Sequence, residues 1–457
     1  MPYTHTTWTQ LQTQLSLRLF DAANIFWTAT EVEIWLTEAL RTFGLCAGFW
    51  RERGSLATSA NTAFYDLPTN LTNGAELILA YSVTDQDIIE ELEYALLESA
   101  ASQSTWGGTQ MFTYNDLANA VQNRLNQFLS DTGIVVNRSV INVASPSIGR
   151  QSLNQDTIDV RRAAWIGAPP ENYYVNLWRE DERTLTAADQ TWSVNSGTPE
   201  EYSIMAPPPL ELQLAPPPVS SGQLELLTVD STALDPANGA TILGIPDDLT
   251  PAIKWGALSD LLGNDGIARD PIRAQFAEER YGQYVQLARM LPVVVHAEIN
   301  GVPLIPSTLQ EADGLSPTWQ NVIANVRNPV SEVLLCSANL IGLTAVPDTA
   351  YSVVCDVVRR TPIPAGGGSN VQLGREQLDM ILDYAEHLAL FKVGGAEWHA
   401  TDKQANNFIM QSLTYNRRLS AAALAAFSAS MQSQRQKTEV IRRDETGVAL
   451  GALKGSQ

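Results

Sequence analysis

The 457-residue sequence predicts an α+β protein with a helix–loop–helix–hairpin unit used twice, two β-rich regions, and a C-terminal helical hairpin with an extended tail. Two observations near the N-terminus lead to this prediction. Apolar residues recur there at helical spacing in two blocks, and β-rich runs follow each block. A third observation is that helical spacing returns after the glycine linker at Ala365–Ser369.

The first copy of the unit occupies residues 1–84. Three leucines mark one face of its short first helix: Leu11, Leu15 and Leu19. The following loop ends at Trp27. Thr30 is predicted to cap a second helix, Glu31 to Phe43, because a threonine side chain can accept a hydrogen bond from a free backbone N–H. Two strand-like runs then predict a hairpin: Ser55–Ser59 and Ala63–Leu67.

The second copy occupies residues 85–168 and repeats this order. Its first helix is marked by Ile88, Leu92 and Leu96. A longer loop ends at Phe112, and either Thr113 or Asn115 can cap a helix from Asp116 to Leu129. Two β-rich runs complete the copy: Ile134–Val143 and Thr157–Ile166. Trp27 and Phe112 are therefore predicted to hold equivalent places.

A first β-rich region follows at 169–245. A short helix or turn is predicted at Asn172–Leu185, before three short strands: Tyr202–Met205, Leu210–Leu214 and Leu224–Val229. Proline triplets flank the middle strand. Because proline cannot donate to a β-ladder, they indicate strand ends or a sheet edge.

A helical pair is predicted at 246–292 and a second β-rich region at 293–364. Thr250 and Asp270 each precede a proline, which is typical of a helix start. Asn300-Gly301 predicts the turn of a β-hairpin. Three more strands follow: Val333–Cys336, Leu340–Leu343 and Tyr351–Val358.

The C-terminal helical hairpin is predicted at 371–434, from Arg375–Val393 and Thr401–Gln434 with a turn at Gly394-Gly395. The far half of the second helix is rich in alanine and has few apolar residues to bury. Residues 435–457 are basic and then small, which predicts an extended tail that becomes ordered only when bound.

The distribution of charge argues against a nucleic-acid-binding surface over most of the chain. The formal net charge is −21, but residues 401–457 carry +4, so the other 400 residues carry −25. An acidic body repels the phosphate backbone, which suits either simple solubility or a conduit along which DNA slides. The basic end can bind an acidic partner or a neighbouring copy, or it can be a solvated helix face with a frayed tail.

Cysteine usage and hydropathy indicate the compartment. The three cysteines lie in apolar or strand-like runs and predict buried thiols in a reducing environment: Cys46, Cys336 and Cys355. No secretory leader is recognisable, and no apolar run reaches the ~18 residues of a membrane helix. We therefore expect folding in a cytoplasm and no membrane partner.

The sequence contains no recognisable catalytic, cofactor or metal motif, such as a P-loop or HExxH. His399 and Asp402 have metal-ligand spacing, but Asp402 is expected at a helix start for capping reasons. We predict no catalytic residue, no metal and no cofactor, and we expect replacement of His387 or His399 to be nearly neutral. A carboxylate pair for glycoside hydrolysis stays open, because its separation is set by the tertiary structure.

Residues of the first copy resemble the head-to-tail adaptor, or neck, proteins of tailed bacteriophages. In that family the pattern W…E…I…EA precedes a basic or aromatic hairpin and then Y.LP. The residues that carry the resemblance are Trp27, Glu31, Ile34, Ala39, Trp50 and Phe64–Pro68. Looser similarity continues at Trp178, Leu210–Leu214, Trp255–Leu262 and Asn416–Leu419.

The resemblance implies a structural virion protein and not an enzyme. It implies a homo-oligomeric ring, a dodecamer matching the twelve-fold portal protein, in the neck of a virion assembled in the host cytoplasm. The ring would extend the channel through which DNA passes without specific binding. It would also dock tail nozzle, tail-tube or fibre proteins.

Two sets of residues are assigned to these roles. The C-terminal segment would grip the portal through basic side chains: Arg435, Lys437, Arg442, Arg443 and Lys454. The aromatic side chains expected to anchor the fold are Trp27, Phe112, Trp50, Tyr65 and Trp255.

The main alternative is a tail-tip or fibre-attachment protein that binds a receptor or carbohydrate and exposes a patch of Trp and Tyr side chains. A weaker alternative is a peptidoglycan-cleaving virion enzyme with two carboxylates in a cleft. The eleven tryptophans are spread along the chain. That spread favours core and interface anchors over a sugar-binding face.

Overall fold

The computed structural model describes residues 5–68, 77–97, 111–144, 149–167, 173–205, 210–234, 241–265, 268–291 and 293–416. Both helices and strands are abundant there, which confirms the α+β class. The helices are α1 (Trp8–Arg18), α2 (Ala29–Ala47), α3 (Asp85–Ala95), α4 (Tyr114–Thr132), α5 (Glu182–Ala188), α6 (Thr250–Gly263), α7 (Pro271–Met290), α8 (Leu309–Leu315), α9 (Arg375–Leu390), α10 (Gly395–Ala400) and α11 (Asp402–Tyr415).

The described strands form three sheets, with strand orders β1-β15-β10-β11, β12-β13-β14-β2 and β3-β9-β5-β6-β7-β8-β4. The strands are β1 (Arg51–Ala57), β2 (Phe64–Asp66), β3 (Asn137–Val143), β4 (Arg150–Ser152), β5 (Thr157–Ile166), β6 (Tyr174–Arg179), β7 (Glu201–Met205), β8 (Glu211–Ala215), β9 (Gly222–Asp230), β10 (Val294–Ile299), β11 (Val302–Pro303), β12 (Ile305–Thr308), β13 (Glu332–Leu335), β14 (Leu340–Thr344) and β15 (Ser352–Val358).

The two N-terminal helix pairs match in length and in capping. Helices α1 and α3 each have 11 residues, and α2 and α4 each have 19. Each begins with a capping box, in which a threonine side chain and the third helical residue exchange bonds with the backbone. The four threonines are Thr7, Thr28, Thr84 and Thr113. Both longer helices end at a left-handed glycine, Gly48 at φ +50° and Gly133 at φ +58°.

Two capping predictions are thereby settled. Thr113 caps α4 as predicted. The prediction that Thr30 caps α2 is wrong, because the helix starts two residues earlier. Thr28 accepts the bond from the Glu31 backbone N–H, and the Glu31 carboxylate accepts one from the Thr28 backbone N–H at 2.8 Å.

The similarity between the two segments extends beyond the helix pairs. Helix α2 is followed by β1, whose antiparallel neighbour β15 also pairs with β10. Helix α4 is followed by β3, whose antiparallel neighbour β9 also pairs with β5. The strand β15 leads to α9 and α11, which pack on α2, and β9 leads to α6 and α7, which pack on α4. We call α1, α2, β1, β10, β15, α9 and α11 the outer unit, and α3, α4, β3, β5, β9, α6 and α7 the inner unit.

The inner unit lies in the chain between β1 and β10 of the outer unit. Strand pairing follows from this arrangement. Neither copy forms the predicted hairpin: β1 pairs with β15 and β2 with β14, while β3 and β5 both pair with β9. The alternation of apolar residues fixes which face of a strand is buried, but it does not select the neighbouring strand.

The remaining elements largely agree with the sequence. The three strands predicted at 202–229 and the three at 333–358 are present, and Asn300-Gly301 forms the turn between β10 and β11 with both residues at positive φ. The segment predicted as a helix or turn at 172–185 instead contains β6 before α5. The backbone of Tyr174–Leu177 pairs with β5, so it forms a strand and not a helix.

The two predicted proline-preceded caps differ. Asp270 caps α7 by accepting a bond from the Arg273 backbone N–H. Thr250 does not cap α6, because a short 3-10 helix, Asp247–Leu249, already precedes it. The Thr250 hydroxyl instead donates to the Asp247 carbonyl at 2.8 Å.

Buried apolar side chains form two cores. The larger is continuous through the helices of both units and through the sheets that contain β15 and β14. The smaller lies on the seven-stranded sheet and includes Val160, Trp165, Tyr202 and Leu224. Helices and strands from several of the predicted sequence segments therefore share one core.

Candidate assembly elements of the helical units

Trp27 anchors the loop between α1 and α2. Its side chain is buried, and its indole N–H donates to the Ala389 carbonyl on α9 at 3.2 Å. The Asp21 carboxylate accepts bonds from three consecutive backbone N–H groups, those of Ile25, Phe26 and Trp27, at 2.7–2.9 Å. These bonds stabilise the charged form and lower the pKa of Asp21. The loop is thus fixed to the helices at both ends.

Phe112 lies at the equivalent position of the inner unit. Trp27 and Phe112 each immediately precede the threonine that caps the longer helix. Phe112 is only partly buried, although it packs against the larger core. The predicted equivalence therefore agrees with the cap positions, while the two side chains differ in burial.

The other three predicted anchors are also in the larger core. Trp50 packs edge-on against Phe43 of α2, with ring centroids 5.9 Å apart. The Tyr65 hydroxyl contacts the carbonyls of Ser59 and Thr62 at 2.9 and 2.6 Å, which closes the turn before β2. Trp255 is fully buried in α6.

A buried ionic cluster joins the two units, and the sequence analysis missed it. Lys254 of α6 has no solvent exposure and pairs with Glu38 of α2 and, at 3.2 Å, with Glu91 of α3. The Trp255 indole N–H donates to the other Glu38 oxygen at 2.6 Å. The ammonium also lies 4.6 Å from the ring centroid of Trp35.

The electrostatics of the cluster favour an ionised lysine. Burial alone would lower the pKa of Lys254, but the two carboxylates outweigh it and raise that pKa. Burial raises the pKa of Glu91, and Lys254 opposes that change. The available sequence signal was a lone lysine within the otherwise apolar stretch Pro251–Leu258.

Two buried carboxylates of the short 3-10 helix before α6, Asp247 and Asp248, bind two loops. Asp247 accepts bonds from the backbone N–H groups of Ser82 and Val83 and pairs with Arg360 at 2.7 Å. Asp248 accepts from the backbone and hydroxyl of Thr361, and burial raises its pKa to about 6. Both side chains are buried, and their hydrogen bonds fix the short 3-10 helix before α6 to these loops.

His387 is a buried residue of α9. Its Nδ1 contacts the Thr401 hydroxyl at 2.8 Å, and its ring lies against Phe276 and Trp398. Burial lowers the pKa of His387. His399 is partly exposed, with its Nδ1 3.5 Å from Asp402. The two histidines therefore differ in burial, which gives His387 a packing role that the sequence did not indicate.

The described residues were also considered as metal ligands and as membrane-spanning helices. No set of three or more His, Cys, Asp or Glu side chains is arranged there to bind a metal ion. None of the helices in those ranges combines the length and apolarity needed to span a bilayer. The predicted portal-docking residues, Arg435 to Lys454, lie outside the described part of the chain, as does the far half of the predicted last helix.

Comparison with known proteins gives no family assignment: no family model matches the chain, and no curated protein matches it.

Proposed function

We propose that this protein is a head-to-tail adaptor of a tailed bacteriophage, a structural ring component beneath the portal. The observation that carries the proposal is the internal structure of the segment that resembles that family. Trp27 holds the loop, Glu31 completes the capping box, and Trp50 and Tyr65 join the same core. The resembling residues thus form one packed unit, and the chain contains its architecture twice.

The charge of the chain supports a channel role. The body carries most of the negative charge, since residues 1–400 account for −25. A ring with this charge would repel the DNA backbone and let DNA pass without specific binding. The same charge is compatible with a catalytically inactive virion component that needs no cofactor.

The end of the described chain supports the proposed docking role of the residues that follow it. Helix α11 ends against the C-terminal end of α2, where the Asn416 side-chain amide donates to the Cys46 carbonyl at 3.3 Å. Residues 417–457 follow Asn416 in the chain. Their basic residues are proposed to bind the portal, in a neck assembled in the host cytoplasm.

The symmetry of the assembled particle tests the proposal. Docking on a twelve-fold portal predicts that this chain is also present as twelve copies, even if it is monomeric before it binds. A virion reconstruction would show twelve-fold density for it between the portal and the tail nozzle, tail tube or fibres. Three- or six-fold density at a tail tip would refute the proposal.

Deletion of 433–457 tests the docking segment. We expect the truncated chain to keep its thermal unfolding midpoint and to lose incorporation into DNA-filled heads. Heads that take up the truncated chain at normal occupancy would remove the portal-binding role from this segment.

One observation favours the alternative of a tail-tip or fibre-attachment protein. Tyr173 and Trp178, at β6, are both exposed. Exposed aromatic rings can stack on sugars, and glycan-array binding that is lost in Trp178→Ala would support this second function. The twelve-fold reconstruction distinguishes the two proposals.

A further inference from the structure

An apolar patch is exposed at the loop between α1 and α2 of the outer unit. Phe20 is 99% exposed, Ile25 84% and Phe26 46%. Large apolar side chains at such exposure, next to one another in a loop, mark an interaction site more often than single exposed residues do. We call these three residues the outer patch.

The inner unit repeats this exposure at equivalent positions. Phe20 and Leu97 each lie two residues beyond the first helix, in the left-handed conformation, at φ +56° and +61°. Phe26 and Met111 each lie two residues before the capping threonine. Leu97 is 56% exposed and Met111 64%, and we call them the inner patch.

The outer patch is held rigidly. The three bonds that Asp21 accepts fix the backbone of Ile25 and Phe26. The Lys392 ammonium donates to the Phe26 carbonyl at 3.2 Å and lies 4.8 Å from its ring centroid. A left-handed conformation is unfavourable for a residue other than glycine. Bulky Phe20 and Leu97 both adopt it, although Phe20 is 99% exposed and Leu97 56%.

Acidic side chains border both patches. Near the outer patch, Arg18, two residues before Phe20, is outnumbered by three carboxylates of α9: Asp379, Asp383 and Glu386. The charge of Lys392 beside Phe26 is balanced by Glu31, so the net charge of these groups is negative. In the inner unit, Met111 lines a groove with Asp116, Asp260 and Asp265. An apolar centre within an acidic border is complementary to an apolar pocket bordered by lysine and arginine.

The outer patch lies at the opposite end of α2 from Asn416, the last described residue of the chain. Phe26 precedes the first turn of α2, whereas Asn416 contacts its last turn. The 19 residues of α2 separate the two ends by about 28 Å. A segment that leaves α11 toward the portal therefore starts from the end of the unit remote from the patch.

We propose that the outer and inner patches are the tail-side docking surface of the adaptor. This inference rests on the proposed function. The partner is a homo-oligomeric tail component that presents the same apolar, basic-bordered pocket to each unit, because two equivalent surfaces on one chain call for a repeated site. The patches act together, so loss of either weakens the attachment and loss of both removes it.

The test uses DNA-filled heads that lack this protein, the full-length chain, and purified tail components of the same virus. The variants are Phe20→Ser with Ile25→Ser, Leu97→Ser with Met111→Ser, and all four together. Val326→Ser is the matched control, because Val326 is fully exposed in a turn elsewhere in the chain. Urea unfolding of each variant verifies that it is folded.

All variants are expected to enter heads at wild-type occupancy. Withdrawing one buried apolar side chain weakens an interface by roughly tenfold or more. We therefore expect each double variant to lower the yield of tailed particles about tenfold or more, and the quadruple variant to abolish it, while Val326→Ser has no effect.

Three other results would overturn the inference. Normal tail addition by the folded quadruple variant would show that the patches are not the docking surface. Failure of the variants to enter heads would place the patches on the portal side. A change in sedimentation of the isolated chain, seen only in the patch variants, would make a second copy the occupant. If the wild-type chain itself does not enter heads, the proposed function fails and the inference fails with it.

Discussion

Replacement of Lys254 by methionine probes the joint between the two units. The substitution keeps much of the side-chain volume but removes the one ammonium that Glu38 and Glu91 share. Glu38 would keep its bond from the Trp255 indole, but both carboxylates would lose their cation. Breaking a buried ion pair on one side typically costs ~3–5 kcal/mol, because a buried charge is left uncompensated.

This cost is large compared with the ~5–15 kcal/mol that stabilises a typical native protein. At about 2.1 cal/mol/K of unfolding entropy per residue, each kcal/mol lowers the unfolding midpoint of a chain of this length by about 1 °C. We therefore expect Lys254→Met to unfold about 3–5 °C below the wild type. Since Lys254 lies against the rings of Trp35 and Trp255, urea unfolding followed by tryptophan fluorescence reports directly on the cluster.

Two further variants make the assay specific. Lys403→Met removes an exposed lysine of α11 and should change stability by no more than ~0.5 kcal/mol. Combining Lys254→Met with Glu38→Gln removes one uncompensated carboxylate, so the double variant should be more stable than the sum of the two single effects predicts. An unfolding midpoint of Lys254→Met equal to that of Lys403→Met would refute the reasoning.

Three other predictions concern the burial of Trp27, His387 and Asp248. Trp27→Ala should cost ~3–5 kcal/mol in urea unfolding, and Phe112→Ala clearly less, because Phe112 is only partly buried; equal costs would contradict the difference in packing. His387→Ala should destabilise the protein by more than ~1 kcal/mol while His399→Ala stays within ~0.5, and the reverse order would contradict their burial. Burial raises the pKa of Asp248 from 3.8 to about 6, so the folded state binds that proton more tightly than the unfolded state does. The stabilising contribution of this proton is complete below pH 3.8 and is lost as the pH rises to about 6. The wild type should therefore gain stability relative to Asp248→Asn when the pH is lowered through this window. Urea unfolding midpoints measured at several pH values would show the difference.

The helices of this protein and most of their ends could be predicted from short-range patterns in the sequence. Apolar residues three and four apart placed the helices, and the hydroxyl side chains and glycines at their ends placed most of the boundaries. These signals act over a few residues, so they can be read without knowing the fold. They were sufficient to predict two similar helix pairs, with Trp27 and Phe112 each preceding the cap of the longer helix.

The same locality explains the error at Thr28 and Thr30. Both are threonines near the start of α2, and a glutamate or glutamine three residues further on would complete a capping box. Both threonines have that partner, Glu31 for Thr28 and Glu33 for Thr30, so the local sequence allows either cap and only the structure selects Thr28. The strand β6 is different, because its pairing with β5 and β7 depends on distant parts of the chain.

The tertiary structure alone decided how the two copies are connected. Strand partners are chosen by burial and hydrogen bonding between distant segments, so β1 pairs with β15 about three hundred residues away and not with β2. Because β1 and β15 are paired, the inner unit is an insertion in the chain of the outer unit. This pairing also brings Lys254 to Glu38, and it leaves Phe20 and Leu97 exposed. Burial is a property of the complete fold, and no pattern along the chain reports it for a residue in a loop.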